Sequence, residues 1–311
     1  MTTLYQRSWP QMNETPDSLL ATDEPPPFTV DNENGTSPLL IVADHAGKHF
    51  PRRLGQLGLS NAECGRHIAW DIGVGAVCCL IGKALNAVVI RQNYSRLVID
   101  CNRTPGSGTS ILDLSELTRV RGNIGLSERH KLARVREIFQ PYHDRIATEL
   151  DRRREAARPT ALISVHSFTP VFKTVARLWH VGVLYNRDPR FAQILMEALH
   201  WEEGLVVGDN EPYSVTDASD YTIPVHGEQR DLHHVALEIR QDLITDEAGQ
   251  RMWAALLFGV LVPIFAHHRL IIRTKAPVTE RPVELPSGGK GRVSCSQQRN
   301  IVRKRPNTRN C

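Results

Sequence analysis

The sequence has few of the features that mark a membrane protein or a secreted, disulfide-rich protein. Only six cysteines occur in 311 residues, and no two of them form a CxxC pair, which argues against a disulfide framework and against a cysteine zinc site. No uninterrupted apolar run approaches the roughly 20 residues of a membrane-spanning helix. Residues 1–27 are polar and contain prolines, unlike a signal peptide. We therefore predict a cytoplasmic protein with no membrane association.

Charge of one sign is also scarce in most of the chain. The formal net charge is +4, and much of the excess lies near the C-terminus, so the sequence does not indicate a basic field over the whole surface. Nucleic-acid binding through this basic tail is one alternative function. No aromatic residue follows Phe265 to stack on bases, and the sequence therefore gives little support to a nucleic-acid partner.

Composition divides the chain into three parts. Residues 1–36 mix Pro, Asp, Glu, Asn and Thr with little apolar periodicity, which predicts a loose extension that wraps the core through Trp9 or Phe28. Residues 37–273 contain the apolar runs and predict a single α/β hydrolase domain. Residues 274–311 are rich in Pro, Ser, Gly, Lys and Arg and predict a disordered basic tail.

Short apolar runs alternate with helical patterns within the central part. Ser127 is a preferred residue for the N-cap of a long helix, which Pro141 should kink or divide. Alternation of strands and helices predicts an α/β fold, in which a layered, mostly parallel or mixed sheet carries helices on both faces. The predicted strands are Pro38–Ala43, Ala87–Ile90, Ala161–Val165, Val181–Tyr185 and His234–Ile239, and the other helices are Gly73–Leu85, one from about Pro189 and one over Asp246–His267.

Polar residues stand at the ends of three of these strands. His45 follows the first strand, His166 follows Val165, and Glu238 lies near the end of the last one. Ligands of open α/β sheets bind outside the carboxyl ends of the strands. Two histidines and a carboxylate on one rim are the parts of a catalytic zinc site, although a single strand-end histidine is more often a capping or surface residue.

Glu238 lies in a run that should be buried, where a carboxylate without a partner is costly. The residues leave two interpretations open: Glu238 pairs with an arginine such as Arg240, or it acts on a metal-bound water.

Five motifs, in this order along the chain, carry a resemblance to a known family. They resemble the motifs of the N-formylglutamate amidohydrolase family, and the similar region covers about Leu39 to Ile264. The motifs are Asp44-His45-Ala46-Gly47, the stretch HIAWDIG from His67, the stretch YSRLVIDCNR from Tyr94, Ser164-Val165-His166-Ser167-Phe168 and the stretch LEIRQDL from Leu237.

The resemblance implies a fold similar to the zinc carboxypeptidase and aspartoacylase group, and a zinc site that hydrolyses the amide of a small-molecule N-acyl amino acid such as N-formyl-L-glutamate. It implies His45 and His166 as zinc ligands. The HxxE pair of the carboxypeptidases is absent because Lys48 stands three residues after His45, so we predict Asp71 as the third ligand. Alternatively, Asp71 caps the helix that starts near Gly73. Another divalent transition metal would also suit these ligand types.

The resemblance also implies the residues that act on the substrate. Glu238 would be the general base, which takes a proton from water and returns it to the leaving amine. Arg96 and Arg103 would bind the substrate carboxylate with paired hydrogen bonds, unless one of them forms a structural bridge with Asp100. The other residues predicted to contact the substrate are Asn102, Tyr221 and Arg240.

Two further functions compete with this one. A deacylase or carboxypeptidase-like hydrolase for another N-acyl amino acid or a short peptide would have the same fold and metal. A non-catalytic binding homologue would have little need of His45, His166 and Glu238 together. The sequence is compatible with a homo-oligomer and does not specify one.

Overall fold

A mixed seven-stranded sheet lies at the centre of the protein, which a computed structural model describes over residues 18–267. The strands, in chain order, are β1 (Phe28–Asp31), β2 (Leu39–Ala43), β3 (Val88–Gln92), β4 (Leu114–Ser115), β5 (Thr118–Arg119), β6 (Ala161–Phe168), β7 (Val171–Phe172), β8 (Val175–Ala176), β9 (Val181–Leu184), β10 (Val207–Asp209) and β11 (His233–Arg240). The sheet order is β1-β3-β2-β6-β11-β9-β10, while β4–β5 and β7–β8 form two small hairpins. Strands β3, β2, β6 and β11 are parallel to one another, whereas β1 and β9 run antiparallel to their neighbours β3 and β11.

Helices cover both faces of this sheet, as predicted. They are α1 (Asn61–Cys64), α2 (Val74–Ala84), α3 (Glu128–Arg134), α4 (Gln140–Glu155), α5 (Arg190–His200) and α6 (Glu247–His267). Residues of α2, α5 and α6 pack in the core on one face, and residues of α3 and α4 pack in the core on the other. Successive strand residues point to opposite faces, so Val165 and Leu237 enter the first core while Leu162 and Ala236 enter the second. The predicted α/β class is confirmed.

The long helix predicted after Ser127 is divided as its proline requires. The Ser127 side chain accepts a hydrogen bond from the backbone of His130 and caps α3. A π-helical turn, Val135–Phe139, then joins α3 to α4, whose second residue is Pro141. Proline has no N–H to donate to the preceding turn, and a widened π turn accommodates that loss.

Part of the stretch predicted as a loose extension belongs to the sheet. Phe28 pairs with Gln92, so β1 is the edge strand beside β3, and Phe28 packs against the core that α4 covers. Residues 1–17 of the predicted extension, with Trp9, and the predicted tail 274–311 lie outside the described residues. The division of the chain at residues 37 and 273 stays a prediction.

The last helix is more apolar than the sequence analysis allowed. Over Glu247–Ala266, α6 has a mean hydropathy of 1.4 and is long enough to cross a membrane by length and composition alone. Trp253, Leu257 and Leu261 nevertheless lie buried in the core, and α6 packs beside α2 and α5. A third of the stretch is buried, so α6 packs one side on the core.

Candidate metal centre

His45, His166 and Glu238 meet at the sheet face that α4 covers. His166 on β6 pairs in register with Glu238 on β11, and His45 follows the neighbouring strand β2 directly. Val165 and Leu237, which precede His166 and Glu238 on their strands, point into the core on the opposite face of the sheet. Parallel pairing of β2, β6 and β11 thus brings residues from three distant parts of the chain to one rim.

His45, Asp71 and His166 form a buried triangle of ligand atoms. His45 Nδ1 lies 3.1 Å from His166 Nδ1 and 3.4 Å from Asp71 Oδ2, and His166 Nδ1 lies 3.0 Å from the same oxygen. Ligands about 2.0–2.1 Å from a tetrahedral zinc ion lie roughly 3.3 Å apart. Spacing and donor types therefore fit a single zinc-like ion.

Each histidine is oriented by a carboxylate at its other nitrogen. His45 Nε2 lies 2.7 Å from Asp100 Oδ1. His166 Nε2 is hydrogen-bonded to Ser164 Oγ at 3.0 Å and lies 3.2 Å from Asp44 Oδ2, to which Ser164 donates. When Nε2–H donates to Asp100 in one ring and to Ser164 in the other, each Nδ1 presents its lone pair to the centre of the triangle. The two orienting carboxylates are features of metal sites that the sequence analysis did not assign.

Asp44 is itself fixed by a dense set of donors. Tyr142 and Thr222 donate to its Oδ1 at 2.9 and 2.7 Å, and Ser164 donates to its Oδ2 at 3.0 Å. Burial opposes ionisation, but the hydrogen bond and charge of His166 lower the pKa of Asp44 below its usual range. Asp44 is therefore a charged acceptor for His166 at neutral pH.

The alternative interpretation of Asp71 as a helix cap is wrong. Gly73 occupies the N-cap position of α2, and no side chain caps that helix end. The Asp71 backbone instead donates to the His45 carbonyl at 2.8 Å, which places the Asp71 carboxylate beside both histidines.

Glu238 is a buried carboxylate with an unengaged oxygen. It is 9% exposed, and its Oε2 has no hydrogen-bond partner among the described residues. A pair with Arg240 is not formed, because Arg240 Nε binds Asp242 at 2.9 Å. Burial, with a contribution from the Asp71 charge, raises the pKa of Glu238 to about 7. A carboxylate with such a pKa suits proton transfer at neutral pH.

A cavity of about 470 Å³ opens over these residues. The predicted residues Arg96, Asn102 and Arg103 line it together with the metal triangle and Glu238, whereas Tyr221 and Arg240 are not among its lining residues. The Tyr221 ring packs instead against Phe139 and His143. Lining residues that the sequence analysis did not assign include His67, Phe168, Thr169, Tyr213, Ser214 and Val215; of these, His67 and Phe168 stand in the quoted motifs.

The two predicted arginines are held differently. Arg96 Nη2 lies 2.7 Å from Asp100 Oδ2 and its Nη1 lies 3.5 Å from Asp71 Oδ1, so the structural bridge to Asp100 is present. Arg103 donates to the carbonyls of Asn102 and Ser219 and lies 3.7 Å from Asp220. Arg103 is therefore less committed to carboxylates than Arg96.

Asn102 holds in place the covering loop, residues 213–223, part of which lines the cavity. Its Nδ2 donates to Asp220 at 2.9 Å, and its Oδ1 accepts from the backbone N–H groups of Tyr221 and Thr222, each at 3.0 Å. The side-chain amide that the sequence analysis expected to orient the substrate thus orients this loop.

The chain is similar to a known protein family and to solved structures. The profile of the family described as N-formylglutamate amidohydrolase matches residues 37–245. The gene product Atu2144 of Agrobacterium tumefaciens has a crystal structure that is 32% identical in sequence, with a TM-score of 0.78, over 81% of this chain and 99% of that chain. The N-formylglutamate amidohydrolase of Ralstonia eutropha JMP134 is 16% identical and shares the fold, with a TM-score of 0.57, over 78% of this chain and 98% of that chain. No curated protein matches the sequence.

The family profile covers more than half of the chain. The five motifs quoted above lie within the matched residues and contain the metal triangle, the orienting carboxylates and Glu238. This chain belongs to the N-formylglutamate amidohydrolase family and is a hydrolase that acts on amide bonds.

Proposed function

We propose that the protein is a zinc-dependent amidohydrolase that removes a formyl or another small acyl group from the nitrogen of an amino acid, such as that of N-formyl-L-glutamate. The observation that carries this proposal is the triangle of His45, Asp71 and His166 beside the buried carboxylate of Glu238. Three protein ligands and an open position are typical of catalytic rather than structural zinc sites.

His45, Asp71 and His166 would hold the ion. Zinc in such a site supplies a water of lowered pKa and polarises the acyl oxygen. Cobalt, nickel or iron would also suit two imidazoles and a carboxylate, so metal identity is part of the test.

Glu238 moves the proton. The oxygen without a partner can accept a proton from the attacking water, and the same carboxyl group can return it to the leaving amine nitrogen. Amide hydrolysis then leaves the acyl group as a carboxylic acid and releases the amino acid.

Arg103 binds the substrate carboxylate in this proposal. Its side chain is 24% exposed and lines the cavity, and a guanidinium binds a carboxylate through two parallel hydrogen bonds. Arg96, which already bridges Asp100 and Asp71, has the role of holding both carboxylates in place. Tyr221 and Arg240 have no role in this proposal, and no membrane or nucleic acid is required as a partner.

The experiment that tests the proposal combines metal analysis with hydrolysis. Protein purified without chelators should contain near-stoichiometric zinc and should release glutamate from N-formyl-L-glutamate or from an acyl analogue. Chelation should abolish release and added zinc should restore it. Absence of metal, together with no hydrolysis after zinc is added, would instead support a non-catalytic binding homologue.

A further inference from the structure

The cavity has an apolar closed end that a formyl group does not need. Leu184, Val215, Ile223 and Ala236 line this end, and each of them is at most 5% exposed. The charged lining side chains of Arg96, Arg103 and Asp220 are 26%, 24% and 16% exposed. These three side chains therefore mark the mouth of the cavity. The charged side chains of Asp71 and Glu238 lie deeper, at 2% and 9% exposure, and the apolar residues form the floor.

Strand register places this floor beyond the metal triangle. Ala236 pairs with Ser164 on one side and with Leu184 on the other, two residues before the pair that Glu238 forms with His166. Residues two apart on a strand share a face and lie roughly 6.6 Å apart. The small side chains of Ser164 and Ala236 leave the space, and Val215 and Ile223 close it from the covering loop.

This arrangement orients an N-acyl amino acid. The substrate carboxylate stays at the charged mouth, and its amide lies beside Glu238 and the triangle, so the acyl group points to the floor. The three C–C bonds of a four-carbon acyl group, at ~1.5 Å each, extend it by about 4 Å, which covers most of the roughly 6.6 Å between the two rows. A formyl group would leave the apolar floor in contact with water, at a cost proportional to the apolar area left unburied.

Building on the proposed function, we propose that the closed end is an acyl subsite for short, unbranched aliphatic acyl groups, so that N-butanoyl amino acids are better substrates than N-formyl amino acids. The amino acid side chain remains near the mouth in this arrangement. Acyl length, rather than the side chain of the amino acid, should then determine specificity.

The test compares kcat/KM for N-formyl, N-acetyl and N-butanoyl derivatives of L-glutamate and of L-leucine. A methylene group in a hydrophobic pocket is worth about tenfold or more, so we expect the butanoyl-to-formyl ratio to exceed about ten with either amino acid. A ratio within one protein sample does not depend on the active fraction or on metal occupancy. Binding of the same compounds to zinc-loaded Glu238→Gln, measured by calorimetry, should give the same order without turnover.

Three variants locate the subsite. Ala236→Val fills the floor and should lower the butanoyl-to-formyl ratio about tenfold. Val215→Ala enlarges it and should raise the ratio for longer acyl groups such as hexanoyl. Val235→Ala is the control, because Val235 is also buried and adjacent to Ala236 on the same strand but faces the opposite core; it should leave the ratio unchanged.

Two outcomes overturn the inference, and they are distinct from failure of the proposed function. A formyl preference that none of the variants changes would show that the floor does not contact the acyl group. A preference that follows the amino acid side chain, and that Ala236→Val alters, would assign the floor to that side chain. If the zinc-loaded protein hydrolyses none of the acyl derivatives, the proposed function itself fails.

Discussion

The Nε2 atom of His45 lies 2.7 Å from Asp100 Oδ1, and this contact turns Nδ1 of the same ring toward Asp71 and His166. Burial opposes ionisation of Asp100, but the charges of Arg96 and His45 hold its pKa well below the usual range. The carboxylate is therefore charged at neutral pH, and it fixes the tautomer of His45.

Asp100→Asn should weaken metal binding about 10- to 100-fold, because the variant removes the charge behind His45 and releases Arg96. Competition with a chelator of known affinity measures the change. Asp113→Asn is the charge-matched control, since Asp113 is exposed and outside the cavity lining. Equal zinc affinity in the two variants would contradict an orienting role for Asp100.

Glu238→Gln should keep the metal and lose nearly all turnover. Gln has the shape of Glu but cannot take a proton from water, and general acid-base catalysis contributes about 10²- to 10⁴-fold. Zinc content by elemental analysis and kcat on the best acyl substrate are the two measurements. Loss of zinc from the variant would make Glu238 a ligand rather than the base.

The raised pKa of Glu238 predicts how the stability of the metal-free protein depends on pH. Its value is about 7 in the folded protein, against 4.5 for the ordinary side chain. The folded state thus holds the proton more tightly than the unfolded chain does. This contribution to stability is complete below pH 4.5 and is lost as the pH rises through about 7. The difference between the two pKa values corresponds to roughly 3 kcal/mol in the free energy of unfolding.

Glu238→Gln removes this titration, so its free energy of unfolding should rise relative to that of the wild type between pH 5 and 8, by up to about 3 kcal/mol. Urea unfolding of both proteins with a chelator present measures the difference at each pH. A difference that does not vary with pH would contradict a raised pKa in the folded state.

The strand-end residues of the site could be predicted from the sequence, because parallel pairing leaves few places for them. His45, His166 and Glu238 each stand at the end of an apolar run, and the β2–β6–β11 order makes those ends neighbours. The role of Asp71 could not be predicted in the same way, since an aspartate two residues before Gly73 also resembles a helix cap. The structure distinguishes the two roles by placing Gly73 at the N-cap of α2 and the Asp71 carboxylate 3.0 Å from His166 Nδ1.

Residues that depend on loop geometry could not be predicted. The covering loop takes its position from the hydrogen bonds between Asn102 and the backbone of Tyr221 and Thr222, which join segments more than 100 residues apart and follow no periodicity. Tyr221 and Arg240 looked equally suitable as substrate contacts, because the partners that hold them, Phe139 and Asp242 among them, do not follow from the strand pattern. The same applies to Val215 at the cavity floor.

Gly73 is required at its position for two reasons that can be separated experimentally. It lies two residues after Asp71 and has a φ of 82°, and a Cβ placed there would lie 2.1 Å from the Ile244 carbonyl oxygen. Gly106 has nearly the same φ, 81°, but a Cβ added there would have no atom of the described residues within 4 Å. Gly106→Ala therefore measures the cost of the left-handed backbone alone, about 1–2 kcal/mol.

Gly73→Ala should cost that amount plus a further 1–3 kcal/mol or so for the collision with Ile244. Because relief of the collision must shift the chain next to Asp71, zinc affinity should fall in Gly73→Ala and stay unchanged in Gly106→Ala. Urea unfolding of the metal-free proteins and zinc competition measure the two effects. Equal losses of stability in both variants, with unchanged zinc affinity, would show that the close packing of Gly73 against Ile244 does not position the metal ligand.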